Sequence, residues 1–246
     1  MMTWEVVLAV CMVFASALYT TVGHAGASAY LALMALFGVA PEVMRPTALV
    51  LNIIVATFTM ARFWHAGMFR WRTLWPFLIG AIPASFIGGA IVLPTQLYRP
   101  LVGLILFAAA VRFLWPKLFP HAQEVRDPPI VPAVASGGLI GLLSGLTGTG
   151  GGIFLSPLML LMGWSETRMA SGVAAAFIWC ISIAGLAGNI AAVQELPSQL
   201  PMYATAVMVG AVVGTTLGTR LLTTAGILKA LGFVLIIAGA KLVGVY

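Results

Sequence analysis

Charge is nearly missing from this chain. Only 7% of its 246 residues are Asp, Glu, Lys or Arg, against 61% that are hydrophobic. Soluble domains carry about 25% charged residues, and a soluble fold could not hide so much apolar surface. The shortage excludes a water-soluble enzyme and makes lipid the solvent. Carboxylates are scarcest. Glu5, Glu42, Glu124, Asp127, Glu166 and Glu195 all fall at the ends of apolar stretches or between them. Carriers of protons or sodium often place a carboxylate mid-membrane. Its absence argues against a cationic substrate and leaves an anion or a neutral molecule.

Cysteine is equally sparse. Cys11 and Cys180 lie apart in apolar stretches, which is neither a disulfide framework nor a metal motif. Cys11 reads as a small buried hydrophobe. No P-loop, dinucleotide fingerprint, zinc motif or nucleophile elbow is present. Gly148-Thr149-Gly150-Gly151-Gly152 is not followed by Lys and a hydroxyl residue, so it is not a nucleotide loop. No cofactor and no catalytic pair are expected, and the chain reads as a transporter rather than an enzyme. The net charge of +6 speaks for loop cations that set orientation, not for nucleic acid. Residues 1–21 lack the positive start of a secretory signal and carry Glu5, so they read as a retained membrane segment.

Apolar stretches are abundant. They run over 4–38, 46–61, 73–93, 100–115, 131–163, 170–190, 201–219 and 226–244. Crossing about 30 Å of hydrocarbon takes about 17–25 helical residues. The first and fifth stretches are too long for one crossing, and both are broken by glycine, at Gly23-His24-Ala25-Gly26 and at 148–152. Glycine weakens a helix and lets the backbone turn. The hydrophilic segment 116–130 divides the chain into a first repeat, 1–115, a cytoplasmic linker, and a second repeat, 131–246. A shift of 125 residues lays Gly23 on Gly148, Gly26 on Gly151 and Gly38 on Gly163. A shift of 130 lays Gly80 on Gly210 and Gly88 on Gly218. Glycines in register are harder to obtain by chance than leucines, so a duplication is expected.

Charge chooses between two arrangements. If each broken stretch crosses once, the repeats are parallel, with seven Lys and Arg inside and five outside. If each folds back on itself, the repeats are inverted. Arg62, Arg70, Arg72, Arg112, Lys117, Arg126, Arg168, Arg220 and Lys229 then lie inside, and Arg45, Arg99 and Lys241 outside. The positive-inside rule prefers the second arrangement, and inverted repeats with broken helices are a common transporter plan. The expected fold is an all-α, multi-pass membrane protein of two homologous four-segment repeats. They are inverted, and each opens with a Gly-broken helix pair, re-entrant or discontinuous. Both termini lie outside.

The breaks suit an anion. A helix restarting at Gly26 or Gly151 presents free N–H groups and the positive end of its dipole, and glycine lets a ligand approach closely. The candidate substrate-binding residues are His24, Gly26, Ser28, Asn52, Thr147, Thr149, Gly150 and Gly151, with Thr20, Thr21, Ser144 and Ser156 as nearby donors. The competing reading is close helix packing, which small membrane residues also serve. Asn52 and Asn189 can line a path or bond a neighbouring helix. Trp64, Trp71, Trp75, Trp115 and Trp164 read as interfacial anchors. Arg45 and Arg168 read as snorkelling cations or as attractors of anions to a vestibule.

Several runs resemble the sulfite exporter TauE/SafE family: residues 145–157 (GLTGTGGGIFLSP), residues 163–172 (GWSETRMASG), and residues 67–71 (GMFRW) leading to 80–84 (GAIPA). The resemblance covers nearly the whole chain. The first break departs from the family pattern at His24, Ala25, Ala27 and Ser28. The resemblance implies a plasma-membrane (cell inner membrane) transporter of small sulfur-containing anions, namely sulfite, thiosulfate or an organosulfonate such as taurine, isethionate or sulfoacetate. The expected partners are that anion and the lipid bilayer, with a homo-oligomer left open. A passive anion channel and a non-transporting assembly or receptor subunit remain the alternatives.

Overall fold

The structure, a computed structural model, describes residues 3–115, 125–190, 196–220 and 235–244. Most of the expected linker (116–124), Glu195 and Lys229 lie outside the described residues. Everything regular within them is helical. The helices are α1 (Thr3–Thr21), α2 (Ala27–Leu36), α3 (Pro41–His65), α4 (Trp71–Ala90), α5 (Thr95–Leu114), α6 (Ile130–Thr147), α7 (Gly152–Leu161), α8 (Thr167–Gly188) and α9 (Leu200–Arg220). A further helix, α10, covers 235–243.

Six of these, α1, α3, α4, α6, α8 and α9, are long and apolar enough to cross a membrane. The ten-residue helices α2 and α7 rise only about 15 Å each, half the hydrocarbon thickness. Local sequence explains the ends. Helix α3 opens with Pro41, which lacks the N–H that a first turn leaves unused, and with Glu42 at the positive dipole end. It stops at Gly67, whose φ of +71° suits a left-handed helix end.

Glycine sets the packing. Added Cβ atoms at Gly80, Gly137, Gly141 and Gly145 would each fall on backbone of the facing helix in the α4–α6 pair. Gly210, Gly214 and Gly218 do the same for α9 against α1. Between apolar helices in lipid, such close backbone approach is the main source of attraction.

These contacts also give direction. Gly137 meets Phe77 and Gly145 meets Ser85, so α4 and α6 run parallel. Gly210 meets Val13 and Gly218 meets Thr21, so α1 and α9 run parallel. Gly185 neighbours Leu49 while Gly172 neighbours Phe63, so α3 and α8 run antiparallel. The N-terminal part of α3 is tied to the C-terminal end of α4 by Arg45. Helices α1, α3 and α9 therefore point one way, and α4, α6 and α8 the other. One face of the molecule carries the start of α3, the end of α2, the end of α4 and the start of α5; it is called the first face below. The second face carries the end of α3, the start of α8 and the segment 125–129, where Arg70 lies 3.7 Å from Asp127.

Trp164 corrects one expectation. It is buried, with its ring tilted against Phe77 at 5.8 Å, so it is core and not an interfacial anchor.

The neighbouring glycines of α6 offer a packing test. A Cβ at Gly137 would collide with the Phe77 carbonyl, whereas one at Gly138 meets nothing closer than 3.7 Å. Gly137→Ala is expected to cost about 1–3 kcal/mol. Gly138→Ala is expected to be neutral or to stabilise by about 0.5–1 kcal/mol, the usual gain within a helix. Thermal melting of the two monodisperse variants reads the difference.

Candidate functional site

The interruptions of the long helical hairpins are built from glycine in the left-handed region. Gly23 (φ +78°) and Gly26 (φ +102°) bracket the turn between α1 and α2. Gly148 (φ +82°), Gly150 (φ +78°) and Gly151 (φ +64°) form the turn between α6 and α7. An L side chain there would cost about 1–2 kcal/mol per position. Gly26 and Gly151 are the N-caps of α2 and α7.

The two turns meet. The His24 ring Nε2 lies 2.9 Å from the Ser156 hydroxyl in the first turns of α7, and Gly152 faces the His24 ring edge and Ile178. Two residues earlier, a Cβ at Gly150 would collide with the Asn52 amide and also touch Ile178. Asn52 reaches the Ser182 hydroxyl of α8 at a long 3.5 Å. His24, Asn52, Ser156 and Ser182 are all buried. Asn52 sits near the middle of α3, about 17 Å from its start, so the cluster lies near the mid-length of that helix. The Asn52 carbonyl oxygen is buried and has no hydrogen-bond partner among the described residues. An unpaired acceptor in that setting costs about 1–3 kcal/mol.

The other expected residues divide between two flanks. Ser28 shares a 2.7 Å hydrogen bond with the Tyr19 hydroxyl. Gly26 faces the Tyr30 ring, whose hydroxyl donates to the Ala25 carbonyl. Thr147 and Thr149 pair with each other at 3.0 Å. Thr147 also donates to the Leu143 carbonyl, and its own carbonyl accepts from Tyr98. Gly151 faces Ile140, Ile181 and Phe177, a fully apolar surface. The structure thus brings together His24, Asn52 and Gly150, and adds Ser156 and Ser182. Gly26 and Ser28 lie beside the tyrosines, Thr147 and Thr149 beside Tyr98, and Gly151 in the core. Ser182 and Tyr98 carried no signal in the sequence, being ordinary helix residues without a motif.

Three comparisons with known proteins bear on this arrangement. The family model of the sulfite exporter TauE/SafE matches residues 8–242. The chain belongs to the sulfite exporter TauE/SafE family. It is also 37% identical over 238 residues, 96% of both chains, to a protein of Sinorhizobium fredii (strain NBRC 101917 / NGR234) named "Probable membrane transporter protein y4hK". No solved structure matches it. The family and this relative make the present protein a multi-pass membrane transporter.

In this TauE/SafE chain Arg45 does not reach the membrane surface. It does not snorkel. Arg45 is buried, and its guanidinium donates to the Ile91 and Gly88 carbonyls, both at 2.9 Å, and to the Gly89 carbonyl. Gly88 and Gly89 belong to the last turn of α4 and Ile91 is its C-cap, so these carbonyls form the negative end of the α4 dipole. The aliphatic part of Arg45 lies against Gly148. Its Nε has no hydrogen-bond partner, and no carboxylate among the described residues pairs with it. A helix end compensates this cation, which lies next to the second glycine turn. Arg168, by contrast, is exposed at the second face.

The contact between the turns should be measurable as coupling. The His24–Ser156 hydrogen bond is expected to give a coupling energy of about 0.6–1.7 kcal/mol, the range of interhelical polar pairs in membranes. The check is a double-mutant cycle of His24→Ala and Ser156→Ala on unfolding in mixed micelles. Additive effects would mean that the two side chains do not bond.

Proposed function

We propose that this transporter carries a small sulfur-containing anion, held near half depth between the starts of α2 and α7. The anion is sulfite, thiosulfate or an organosulfonate such as taurine, isethionate or sulfoacetate, and the membrane is the bacterial inner membrane. The observation that carries the reading is the buried meeting of two half-length helices at His24, Asn52, Ser156 and Gly150. The first intrahelical acceptors are Gly26 and Gly151, so the N–H groups of Ala27, Ser28 and Ala29 point out of the start of α2 without helix partners. They are buried, where unpaired donors are costly. An oxyanion satisfies such donors and gains from the dipole. No carboxylate of the described residues lies near the cluster; Glu5, Glu42, Asp127 and Glu166 sit at element ends.

The proposed architecture is an inverted repeat. Positive-φ glycines recur at the shift of 125 residues as Gly23 and Gly148, Gly26 and Gly151, and Gly38 and Gly163. Under that shift α1 corresponds to α6, α3 to α8 and α4 to α9, and members of each pair run in opposite directions. Among the described residues Arg62, Arg70, Arg72, Arg126 and Arg168 then belong to the cytoplasmic side, and Arg45, Arg99 and Lys241 to the outer side. With native Cys11 and Cys180 replaced, single cysteines at 197–199 should label from the periplasm and those at 66–70 should not. Labelling of both segments from one side would rule out the inversion.

Binding is tested by thermal shift of purified protein against the five anions named above, with sulfate as comparison. A ligand at 100 times its Kd stabilises by about 2.7 kcal/mol. His24→Ala and Asn52→Leu are expected to weaken binding by about 1–3 kcal/mol each. Gly151→Val is a poor probe, because its side chain would enter apolar core. Normal affinity in both site variants would remove the cluster as the site. Stabilisation by a metal cation or an amine alone would overturn the anion assignment.

A further inference from the structure

The two faces of the molecule carry related but electrically different pockets. On the first face a pocket of about 90 Å³ is lined by Gly38, Pro41, Met44, Arg99 and Lys241, among others. On the second face a pocket of about 220 Å³ is lined by Arg70, Val125, Ser165, Glu166 and Met169. Each lies at the turn between a half-length helix and the long helix after it, and Pro41 and Met44 match Glu166 and Met169 at the shift of 125. The second-face pocket includes Glu166, and its cation, Arg70, is 3.7 Å from Asp127. The first-face pocket has two cations and no acidic lining residue. Lys241 gives one hydrogen bond to the Leu36 carbonyl at the end of α2 and stays exposed, as does Arg99.

Arg45 is next to this first-face pocket in the chain. Met44 lines it, and the next residue, Arg45, is buried with an unpartnered Nε and its stem against Gly148. Gly150, two residues on, meets Asn52. Positive groups stand at three levels: Arg99 and Lys241 at the pocket, Arg45 buried beside Gly148, and the start of α7 at the cluster. From this arrangement we infer that oxyanions enter the transporter at the Arg99/Lys241 pocket, where the two cations capture them and pass them along Arg45 to the central cluster. The inference rests on the anion site proposed above and adds its mouth. Low-dielectric walls lined by charge of one sign raise the local concentration of the opposite ion and its on-rate by about 10–1000-fold. Such an effect is screened as salt shortens the Debye length from about 30 Å at 0.01 M to about 3 Å at 1 M.

The test combines Arg99→Gln and Lys241→Gln in the full chain, with Arg70→Gln as the opposite-face control. Sulfite and thiosulfate are the probes, assayed by thermal shift in detergent and by uptake into proteoliposomes of phosphatidylcholine, with and without phosphatidylglycerol. The double variant is expected to keep its Kd within about twofold. Its uptake KM should rise about tenfold at low salt and converge on wild type at about 1 M salt, while Arg70→Gln behaves as wild type. An unchanged KM and salt dependence would overturn the mouth, as would an equal loss in Arg70→Gln. A defect confined to vesicles with phosphatidylglycerol would assign the two cations to lipid headgroups and also overturn it. Failure of the wild type to bind either probe would instead remove the central anion site, and the mouth with it.

Discussion

A backbone that stops being helical inside a bilayer must satisfy its N–H and C=O groups without water, and this requirement shapes the rest of the molecule. The chain meets it by wrapping each interruption in other helices. The turn at 22–26 closes on its own carbonyls, with His24 N–H donating to Tyr19 and Gly23 N–H to Thr20. The turn at 148–151 likewise closes through Gly148 N–H to Ser144 and Gly152 N–H to Gly150. What these bonds leave unsatisfied at each interruption is the start of a half-length helix. Both starts are buried, and the mid-sections of α3 and α8 supply Asn52, Ile178 and Ile181 against the start of α7.

Close glycine packing follows from the same requirement. For α3 and α8 to cover both turns, the outer pairs α4–α6 and α1–α9 must draw in tightly. The glycines at four-residue intervals, Gly137, Gly141 and Gly145 on α6 and Gly210, Gly214 and Gly218 on α9, allow this backbone approach. Arg45 supports the arrangement at one end, because its three carbonyl contacts hold the start of α3 to the finish of α4. A cation in that position would be costly if it faced hydrocarbon. At the end of a helix dipole it replaces the water that those carbonyls would otherwise lack.

Much of this was legible in the sequence because the signals were physical exclusions. An apolar run too long for one crossing and broken by glycine had to turn, and both turns appear where the glycines stand. The scarcity of carboxylates and the position of Asn52 within a span were equally readable. Side-chain destinations were not. Ser28 and Thr149 are hydroxyl donors on paper, but Tyr19 and Thr147 already hold them. Arg45 and Arg168 look equivalent at the starts of α3 and α8. Only the facing end of α4 makes the first a buried clamp, while the second stays exposed. Trp164 reads as an interfacial anchor in the sequence, but Phe77 packs against it in the core. In each case a partner distant in sequence decides the role, and periodicity and composition do not encode partners.

The two turns contribute to the cluster unequally. The second turn is almost pure glycine at 148 and 150–152 and brings little side-chain chemistry of its own to the centre. Its contribution is space. Gly150 leaves room for the Asn52 amide, and Gly152 for the His24 ring edge. Both of those groups belong to the first half of the chain, where the turn carries His24 and Ala25 instead of a glycine run. A ring and an amide at this position need a backbone without Cβ atoms opposite them. A glycine run in both turns would leave the cluster without its imidazole. If both had gained side chains, the half-length helices could not approach. Division of labour between the halves lets one buried position combine close backbone approach with an imidazole and an amide.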